Sequence, residues 1–249
     1  AVSAGNTGAL MALSKLILRM SAPGLDRPAI ACSWPNLRGL STVLDVGANV
    51  SSDAAQLVEF AMMGEAFHRA MHGVARPTIG LLNVGSEDMK GHEEVREAAR
   101  ILRDGGLTLN YHGFVEGDDL AKGTTDVVVT DGFTGNVALK TAEGTARFVS
   151  AVMKNALTSG LQAKLGALIA LPALRAVGRR LDPGAVNGGP LLGLNGLVVK
   201  SHGGADAKGF ASAIMVAVGL ARSDYAADIA RSMAGLDAAL HAAEAETPV

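Results

Sequence analysis

Apolar runs of strand length alternate with longer stretches of helical spacing along most of the chain. Residues 78–84 and 126–130 are centred on continuous apolar runs, whereas residues 51–72 and 136–155 carry apolar side chains at helical intervals. Buried parallel strands have such runs because helices cover both faces of their sheet. The pattern therefore predicts an α/β fold of three layers, α/β/α, around a mostly parallel sheet.

Start and stop signals support these elements: Ser-Ser-Asp at 51–53 is a typical helix start, and Gly73 is a typical stop. We predict further strands at residues 29–33, 42–46, 107–112 and 196–200, and further helices at residues 7–20, 91–103, 205–222 and 224–243. The first of these helices has helical spacing at Leu10, Leu13, Ile17 and Met20. Together the elements are expected to form one α/β domain over residues 1–249.

Residues 161–182 interrupt the alternation. They are rich in Leu and Ala, with Pro172 near the middle and basic residues on both sides. Proline removes a helix hydrogen-bond donor, so two short helices with a bend are predicted, as a protruding helical hairpin. The chain opens at Ala1 in what reads as a strand end. We therefore expect the domain to be incomplete at its N-terminus.

Composition narrows the function classes. Hydrophobic residues make up 49% of the chain, enough for a large core, and the net charge is −2. Only 4% of residues are aromatic, so a nucleic-acid partner is not expected. The single cysteine, Cys32, suits a reducing compartment and lies in an apolar run that predicts a buried, inert thiol.

Four polar turns with glycines follow predicted strands, where the sites of α/β folds collect. They cover residues 3–8, 83–91, 131–140 and 200–206. In the first turn, Ser3, Asn6 and Thr7 precede or open a helix, whose free N–H groups favour an anion. An ordinary strand-to-helix turn is an equally good interpretation of that segment.

The other three turns contain further donors. Lys90 can direct positive charge at a phosphate or an oxyanion, or can be a solvated turn residue. Asn136 can donate from its amide. His202 can act as an acid, a base or a donor, or can be a structural histidine. The histidines lack metal-ligand spacing, and neither a P-loop nor a Gly-x-Ser-x-Gly elbow occurs, so no metal or cofactor is expected.

Taken together, these strings resemble the phosphate acyltransferase (PlsX) family. The matching segments are residues 3–10, 44–49, 81–91, 113–119, 131–140, 191–196 and 200–206, so the resemblance runs nearly end to end. It implies a fold akin to the isocitrate and isopropylmalate dehydrogenase superfamily, shared with phosphate acetyltransferases. Family members also carry an Asp- and Gly-rich N-terminal segment that this sequence lacks.

The resemblance further implies a homodimer that converts acyl-ACP (the fatty acyl thioester of acyl carrier protein) and orthophosphate into acyl-phosphate and free carrier protein. That reaction serves phospholipid synthesis in a cytoplasmic enzyme that associates peripherally with the membrane surface. For this reaction we expect Ser3, Asn6, Thr7 and Asp131 to bind phosphate, and Asp131 also to orient its neighbours. The expected catalytic residues are Lys90, Asn136 and His202.

The hairpin has two open interpretations. It can be a core or dimer-interface helix pair, or an interfacial element that lies on anionic lipid and delivers the acyl chain. Its apolar candidates for membrane or acyl-chain contact are Leu165, Leu168, Leu171 and Leu174. Rival functions are a phosphate acetyltransferase that uses acyl-CoA, a metal- and NAD-dependent decarboxylating dehydrogenase, and a non-catalytic membrane-associated scaffold.

Overall fold

A computed structural model describes residues 1–180 and 187–233, without the side chains of Arg179 and Arg180. Eight strands form one sheet. They are β1 (Val2–Ser3), β2 (Ala29–Pro35), β3 (Leu40–Leu44), β4 (Thr78–Leu82), β5 (Asn110–Val115), β6 (Val127–Val129), β7 (Gly189–Leu192) and β8 (Val199–Lys200).

The helices of the described residues flank this sheet or extend from it. They are α1 (Thr7–Leu18), α2 (Ala54–His72), α3 (Glu93–Asp104), α4 (Asp119–Lys122), α5 (Gly132–Thr158), α6 (Leu161–Ile169), α7 (Leu171–Arg180), α8 (Ala207–Ala221) and α9 (Tyr225–Met233). The predicted stop of α2 is confirmed, because Gly73 caps it in the left-handed conformation. The Asp53 side chain caps its start.

The strand order is β1-β8-β7-β2-β3-β6-β4-β5. The β1/β8, β3/β6, β4/β6 and β4/β5 pairs are parallel, and the β2/β3, β2/β7 and β7/β8 pairs are antiparallel. The α/β fold is confirmed, and its sheet is mixed. Because three antiparallel pairs separate β8 from β3, strands β1 and β8 run opposite to β3, β4, β5 and β6.

Two apolar clusters, one on each face of the sheet, confirm the three layers. Side chains alternate along a strand, so Leu44 joins the cluster under α2, α3 and α9, whereas Val43 joins the cluster on the other face. In β6, Val127 and Val129 likewise lie on one face and Val128 on the other. Residues of α1 and α5 cover the second face.

Several boundaries differ from the sequence prediction. Strand β5 begins at Asn110, three residues later than expected, and α5 begins at Gly132, four residues earlier. Strand β7 was not predicted, because its four residues lack a distinctive pattern. The helix predicted at 224–243 is present as far as Met233, and the remainder lies outside the described residues.

The first helix does not bury the face that its spacing suggested. Leu13 and Ile17 are 56% and 72% exposed, while Ser14 is buried. Leu10 and Met11 are the residues of α1 that pack against the core near its start. Helical spacing identifies α1 correctly, but it does not decide which of two apolar faces meets the sheet.

Residues 144–178, which we call the helical arm, leave the body of the fold. None of them is buried. Helices α6 and α7 meet at Ala170, and Pro172 lies in the first turn of α7, where its missing N–H group costs no hydrogen bond. Among the described residues, no single helix has the length and apolarity to cross a membrane, although Leu161–Ile169 and Leu171–Gly178 meet both criteria when taken together, with a 74° bend.

Candidate functional site

A buried carboxylate organises the turn that follows β3. The Oδ1 atom of Asp45 accepts hydrogen bonds from the backbone N–H groups of Ile30, Gly47 and Ala48, at 3.1, 3.1 and 2.9 Å. Its Oδ2 atom accepts from the backbone and side-chain nitrogens of Asn49, at 2.7 and 3.0 Å. Since all five partners are donors, this is the geometry of an ionised carboxylate.

Burial raises the pKa of Asp45 above its ordinary value, and the hydrogen bonds from Ala48, Asn49 and Ile30 oppose that rise. The same network fixes a second loop, because the Asn49 side chain also donates to the carbonyl oxygen of Pro28 at 2.9 Å. Asp45 therefore holds the turn after β3 against the loop between α1 and β2. Sequence analysis missed this residue, although a strand that ends in Asp-Val-Gly-Ala-Asn is a detectable turn signal.

The turn after β6 packs directly on the turn after β3. A Cβ atom at Gly135 would lie 1.8 Å from the backbone oxygen of Asp45, and one at Gly132 would lie 2.2 Å from that of Asn49. Asn136 faces Gly47, since a Cβ there would lie 3.5 Å from the Asn136 side chain. The Asn136 amide makes no hydrogen bond to another described residue, so its donors are available to a ligand.

Asp131 has a local role in this structure. It is the N-cap of α5, and its carboxylate accepts from the backbone N–H and the hydroxyl of Thr134, at 2.8 and 2.7 Å. Capping stabilises the start of the helix that carries Asn136. Asp131 thus positions Asn136, while direct contact with phosphate remains a prediction.

Lys90 lies in an exposed loop after β4, next to β6 in the sheet. Its ammonium pairs with the Glu87 carboxylate at 2.8 Å, and this hydrogen bond raises the pKa of Lys90. The Lys90 side chain also crosses Gly85, where a Cβ would lie 2.5 Å from Lys90 Cδ. Surface ion pairs of this kind contribute little free energy, so Lys90 can exchange Glu87 for another anion.

The first predicted turn is ordered by its own side chains. Ser3 Oγ accepts from the Gly5 N–H at 3.1 Å. The Asn6 side chain caps α1 by accepting from the Ala9 N–H at 3.0 Å. Thr7 is the first residue of the helix and is half-buried. The side-chain oxygens of Ser3 and Asn6 thus each accept a hydrogen bond from a nearby backbone N–H group. Phosphate binding at this turn remains a prediction.

His202 follows β8 and is exposed. Its Nδ1 atom accepts from the Gly204 N–H at 3.1 Å, and its backbone N–H donates to Asn187 at 3.0 Å. Asn187 also donates to Ser201 Oγ at 2.9 Å. The Ser3 carbonyl accepts from the Ser201 N–H at 2.8 Å, so the first and fourth turns are neighbours.

The structure collects the predicted residues into two groups. Asp131, Asn136 and Lys90 follow β6 and β4, which are adjacent parallel strands. Ser3, Asn6, Thr7 and His202 follow β1 and β8, which run the other way at the far end of the sheet. Each of the four turns follows a strand, as predicted, but within the described residues the turns lie at two different edges of the sheet, because the sheet is mixed.

A pocket that sequence analysis did not identify adjoins the first group. It has a volume of about 320 Å³ and lies between α1, the loop before β2 and the turn after β3. Its lining consists of Met11, Lys15, Arg27, Pro28, Ala48, Asn49, Val50 and Ser51. Lys15 and Arg27 do not belong to any recognisable sequence motif. Only the fold identifies them as candidate site residues, because it places both in the lining of one pocket.

Two further expectations from the sequence concern the single cysteine and metal binding. Desolvation raises the pKa of Cys32 to about 12, so its thiol stays protonated, as the apolar run around it predicted, although the residue is half-buried and not fully buried. No group of three or more His, Cys, Asp or Glu side chains able to hold a metal ion occurs within residues 1–180 and 187–233.

Comparison with known proteins adds independent findings. A family model described as "Fatty acid synthesis protein" matches residues 1–228. The chain is 71% identical over 237 residues to a phosphate acyltransferase from Caulobacter vibrioides, covering 95% of this chain and 66% of that protein. A phosphate acyltransferase from Phenylobacterium zucineum is 65% identical over 240 residues, with coverages of 96% and 68%. The chain thus spans about two thirds of the length of these relatives.

Solved structures with a similar fold include two enzymes of related name. A phosphotransacetylase from Streptococcus pyogenes has a TM-score of 0.55 at 17% identity, and the match covers 88% of this chain and 62% of the phosphotransacetylase chain. A branched-chain phosphotransacylase from Enterococcus faecalis has a TM-score of 0.53 at 15% identity, covering 82% and 66%. Identities this low show the fold alone. Since the family model matches residues 1–228 and the Phenylobacterium phosphate acyltransferase is 65% identical with 68% of its length covered, the chain belongs to the phosphate acyltransferase (PlsX) family.

Proposed function

We propose that this chain carries the acyl-transfer centre of a phosphate acyltransferase, which moves a fatty acyl group from acyl carrier protein to orthophosphate. The observation that carries the proposal is the 71% identity, across 95% of the chain, to a protein named phosphate acyltransferase. The substrate class and the product follow from the resemblance of the turn sequences to that family. The reaction would feed phospholipid synthesis.

The reaction needs little covalent assistance from the protein. A phosphate oxygen attacks the thioester carbonyl carbon, and a tetrahedral oxyanion forms. The C–S bond then breaks, the new C–O bond remains in the acyl-phosphate, and the proton of hydrogen phosphate ends on the released thiol. A thiol of pKa about 8.5 is a good leaving group. What the protein must supply is positioning and donors for the oxyanion.

Asn136 and Lys90, from the group that follows β6 and β4, can supply the donors for the oxyanion. Asn136 has an amide without a partner among the described residues, next to the Asp45 turn, and Lys90 is held only by an exposed ion pair. In the proposal these two polarise the carbonyl or neutralise phosphate charge. Ser3, Asn6 and Thr7 would hold phosphate, and His202 would assist the leaving thiol. Ser3, Asn6, Thr7 and His202 follow β1 and β8, which run opposite to β4 and β6.

The helical arm favours a hydrophobic partner and an anionic surface. Its exposed apolar side chains include Phe148, Val152, Leu161, Leu165, Leu168 and Ile169. Residues 144–178 contain four basic and no acidic side chains, namely Arg147, Lys154, Lys164 and Arg175. We propose that the arm serves a homodimer through α5 and contacts anionic lipid through α6 and α7, as a cytoplasmic enzyme peripherally associated with the membrane.

A phosphate acetyltransferase that uses acyl-CoA is the second candidate, because phosphotransacetylases have a similar fold. The apolar arm favours long acyl chains instead. A non-catalytic membrane scaffold would account for the arm but not for the unpaired Asn136 amide. The assay that separates these functions follows consumption of long-chain acyl-ACP and of acetyl-CoA, each with and without orthophosphate.

The assay is run on this chain and on this chain joined to the unmatched third of the Caulobacter relative. We expect phosphate-dependent consumption of acyl-ACP, and about a 100-fold loss in Lys90→Ala and Asn136→Ala. Arg96→Ala, an exposed change on α3, serves as the control. Near-normal turnover in both site variants, or a preference for acetyl-CoA, would overturn the assignment.

A further inference from the structure

The pocket beside the Asp45 turn combines features that suit an anion attached to an organic chain. Two of its lining side chains, Lys15 and Arg27, are cationic, and four others, Met11, Pro28, Ala48 and Val50, are apolar. Its volume of about 320 Å³ is at the lower end of the range of roughly 300–1,000 Å³ that is usual for small-ligand sites. A bare inorganic ion would fill only a part of it.

One carboxylate holds both cations in place. Asp26 Oδ1 lies 3.4 Å from Lys15 Nζ, and Asp26 Oδ2 lies 3.2 Å from Arg27 Nε. The side chain of Asp26 is 61% exposed, that of Lys15 45% and that of Arg27 48%. Both ion pairs therefore lie at the surface and contribute little free energy. Two positive charges against one negative charge leave the rim of the pocket cationic. An incoming anion can therefore displace Asp26 at small cost.

The Arg27 guanidinium retains donors for a ligand. Its Nε atom is the one bonded to Asp26, and its two terminal nitrogens make no hydrogen bond within the described part of the chain. The edge formed by the two terminal nitrogens still offers a parallel pair of N–H groups, which matches two oxygens of a phosphate group. Asn49, anchored by Asp45 and by the carbonyl oxygen of Pro28, is a fixed part of the pocket lining.

The pocket also adjoins the proposed acyl-transfer centre. Ala48 and Asn49 line it, and their chain neighbour Gly47 faces the Asn136 side chain. A ligand with its phosphate at Arg27 would extend along this turn towards Asn136. The lining also includes the apolar residues Ala48 and Val50, which suit an uncharged chain.

We infer that this pocket binds a phosphate group through Arg27 and Lys15, with Asp26 as a displaceable internal competitor. The inference rests on the proposed function and deepens it. Two sources share this chemistry: free orthophosphate, and the phosphate of the phosphopantetheine arm on which carrier proteins and CoA bear acyl groups. The apolar walls and the volume suit the second source.

Calorimetric titration of this chain tests the inference without any turnover. The probes are 4′-phosphopantetheine, inorganic phosphate and, as a ligand that lacks the phosphate, pantetheine. We expect Arg27→Gln and Lys15→Gln each to weaken phosphopantetheine binding about tenfold, as loss of a charge-assisted hydrogen bond would. Asp26→Asn should tighten binding roughly two- to fivefold, because it releases both cations.

Arg96→Gln is the matched control, since it removes an exposed cation far from the pocket. Opposite effects of Asp26→Asn and Arg27→Gln support the inference, and tighter binding of orthophosphate than of phosphopantetheine would reassign the pocket to the free ion. Equal binding of pantetheine, or no change in Arg27→Gln, would overturn it. If Lys90→Ala still lowered acyl transfer about 100-fold in that case, the proposed function would stand and only this inference would fall.

Discussion

Gly135 and Asp45 are in backbone contact where α5 meets the end of β3, such that a Cβ atom on Gly135 would lie 1.8 Å from the Asp45 carbonyl oxygen. The start of α5 therefore rests directly on the end of β3. This contact sets the distance between Asn136, one residue further along α5, and the turn that Asp45 organises. Glycine at position 135 is thus a packing requirement of the candidate site.

The first prediction compares two glycines of the same helix. Gly135→Ala should destabilise the fold by about 1–3 kcal/mol or more, because backbone cannot yield as a flexible side chain can. Gly144→Ala, with nothing within 4 Å of the added Cβ, should stabilise it by about 0.5–1 kcal/mol through helix propensity. Urea unfolding of both variants measures the difference. Equal effects in the two would show that α5 does not press on β3.

The second prediction concerns a buried histidine. Desolvation and the neighbouring His72 lower the pKa of His68 to about 4, although Asp126 opposes the shift. The unfolded chain takes up this proton at about pH 6.5, so stability is present above pH 6.5 and is lost as pH falls towards 4. The loss is on the order of 3 kcal/mol.

His68→Gln should reduce this acid-side loss, measured by urea unfolding at pH 7.5 and 4.5. Gln can keep a hydrogen bond to Thr42, whose hydroxyl lies 2.9 Å from His68 Nδ1. His92→Gln removes an exposed histidine and is the control. If the variant lost as much unfolding free energy between pH 7.5 and 4.5 as the natural chain does, other groups would be responsible for the acid sensitivity.

The third prediction concerns the buried carboxyl group of Glu59, whose effect on stability changes with pH in the opposite direction to that of His68. Burial, with the charges of Asp53 and Asp26, raises the pKa of Glu59 to about 7, and its Oε2 atom has no partner among the described residues. Since the folded pKa exceeds the ordinary 4.5, this contribution to stability is present below pH 4.5 and is lost as pH rises through 7.

Glu59→Gln should therefore stabilise the protein at pH 8, by on the order of 3 kcal/mol, and leave it unchanged near pH 4.5. Chemical denaturation at the two values measures the effect. Glu94→Gln, an exposed change on α3, should be neutral at both. A loss of stability at pH 8 would mean that the Glu59 carboxylate is ionised and paired in the folded state.

The fourth prediction tests the helical arm. Replacing Leu165 and Leu168 together by Glu should abolish co-sedimentation with vesicles that contain anionic phospholipid, since both side chains are exposed and apolar. Leu37→Glu changes a still more exposed leucine outside the arm and should leave binding intact. Undiminished binding by the double variant would exclude α6 as the lipid contact.

Local signals predicted the elements well. The Ser-Ser-Asp start and the Gly73 stop of α2, the Val127–Val129 strand and the bend near Pro172 all follow from rules that act over a few residues. Capping and periodicity depend on neighbours in the chain, so they can be read directly from it. The turn sequences gave the family resemblance for the same reason.

The sequence by itself determined the α/β class, the order of its elements and the identities of the donor-bearing turns. Tertiary structure alone decided that β1 and β8 run opposite to β3, which separates His202 from Asn136. It also brought Arg27 and Lys15 to one pocket. In the same way, it placed N–H groups from two separate segments of the chain within hydrogen-bond distance of the Asp45 carboxylate. Strand direction and contacts between distant segments depend on how the whole chain packs, and no local pattern encodes them.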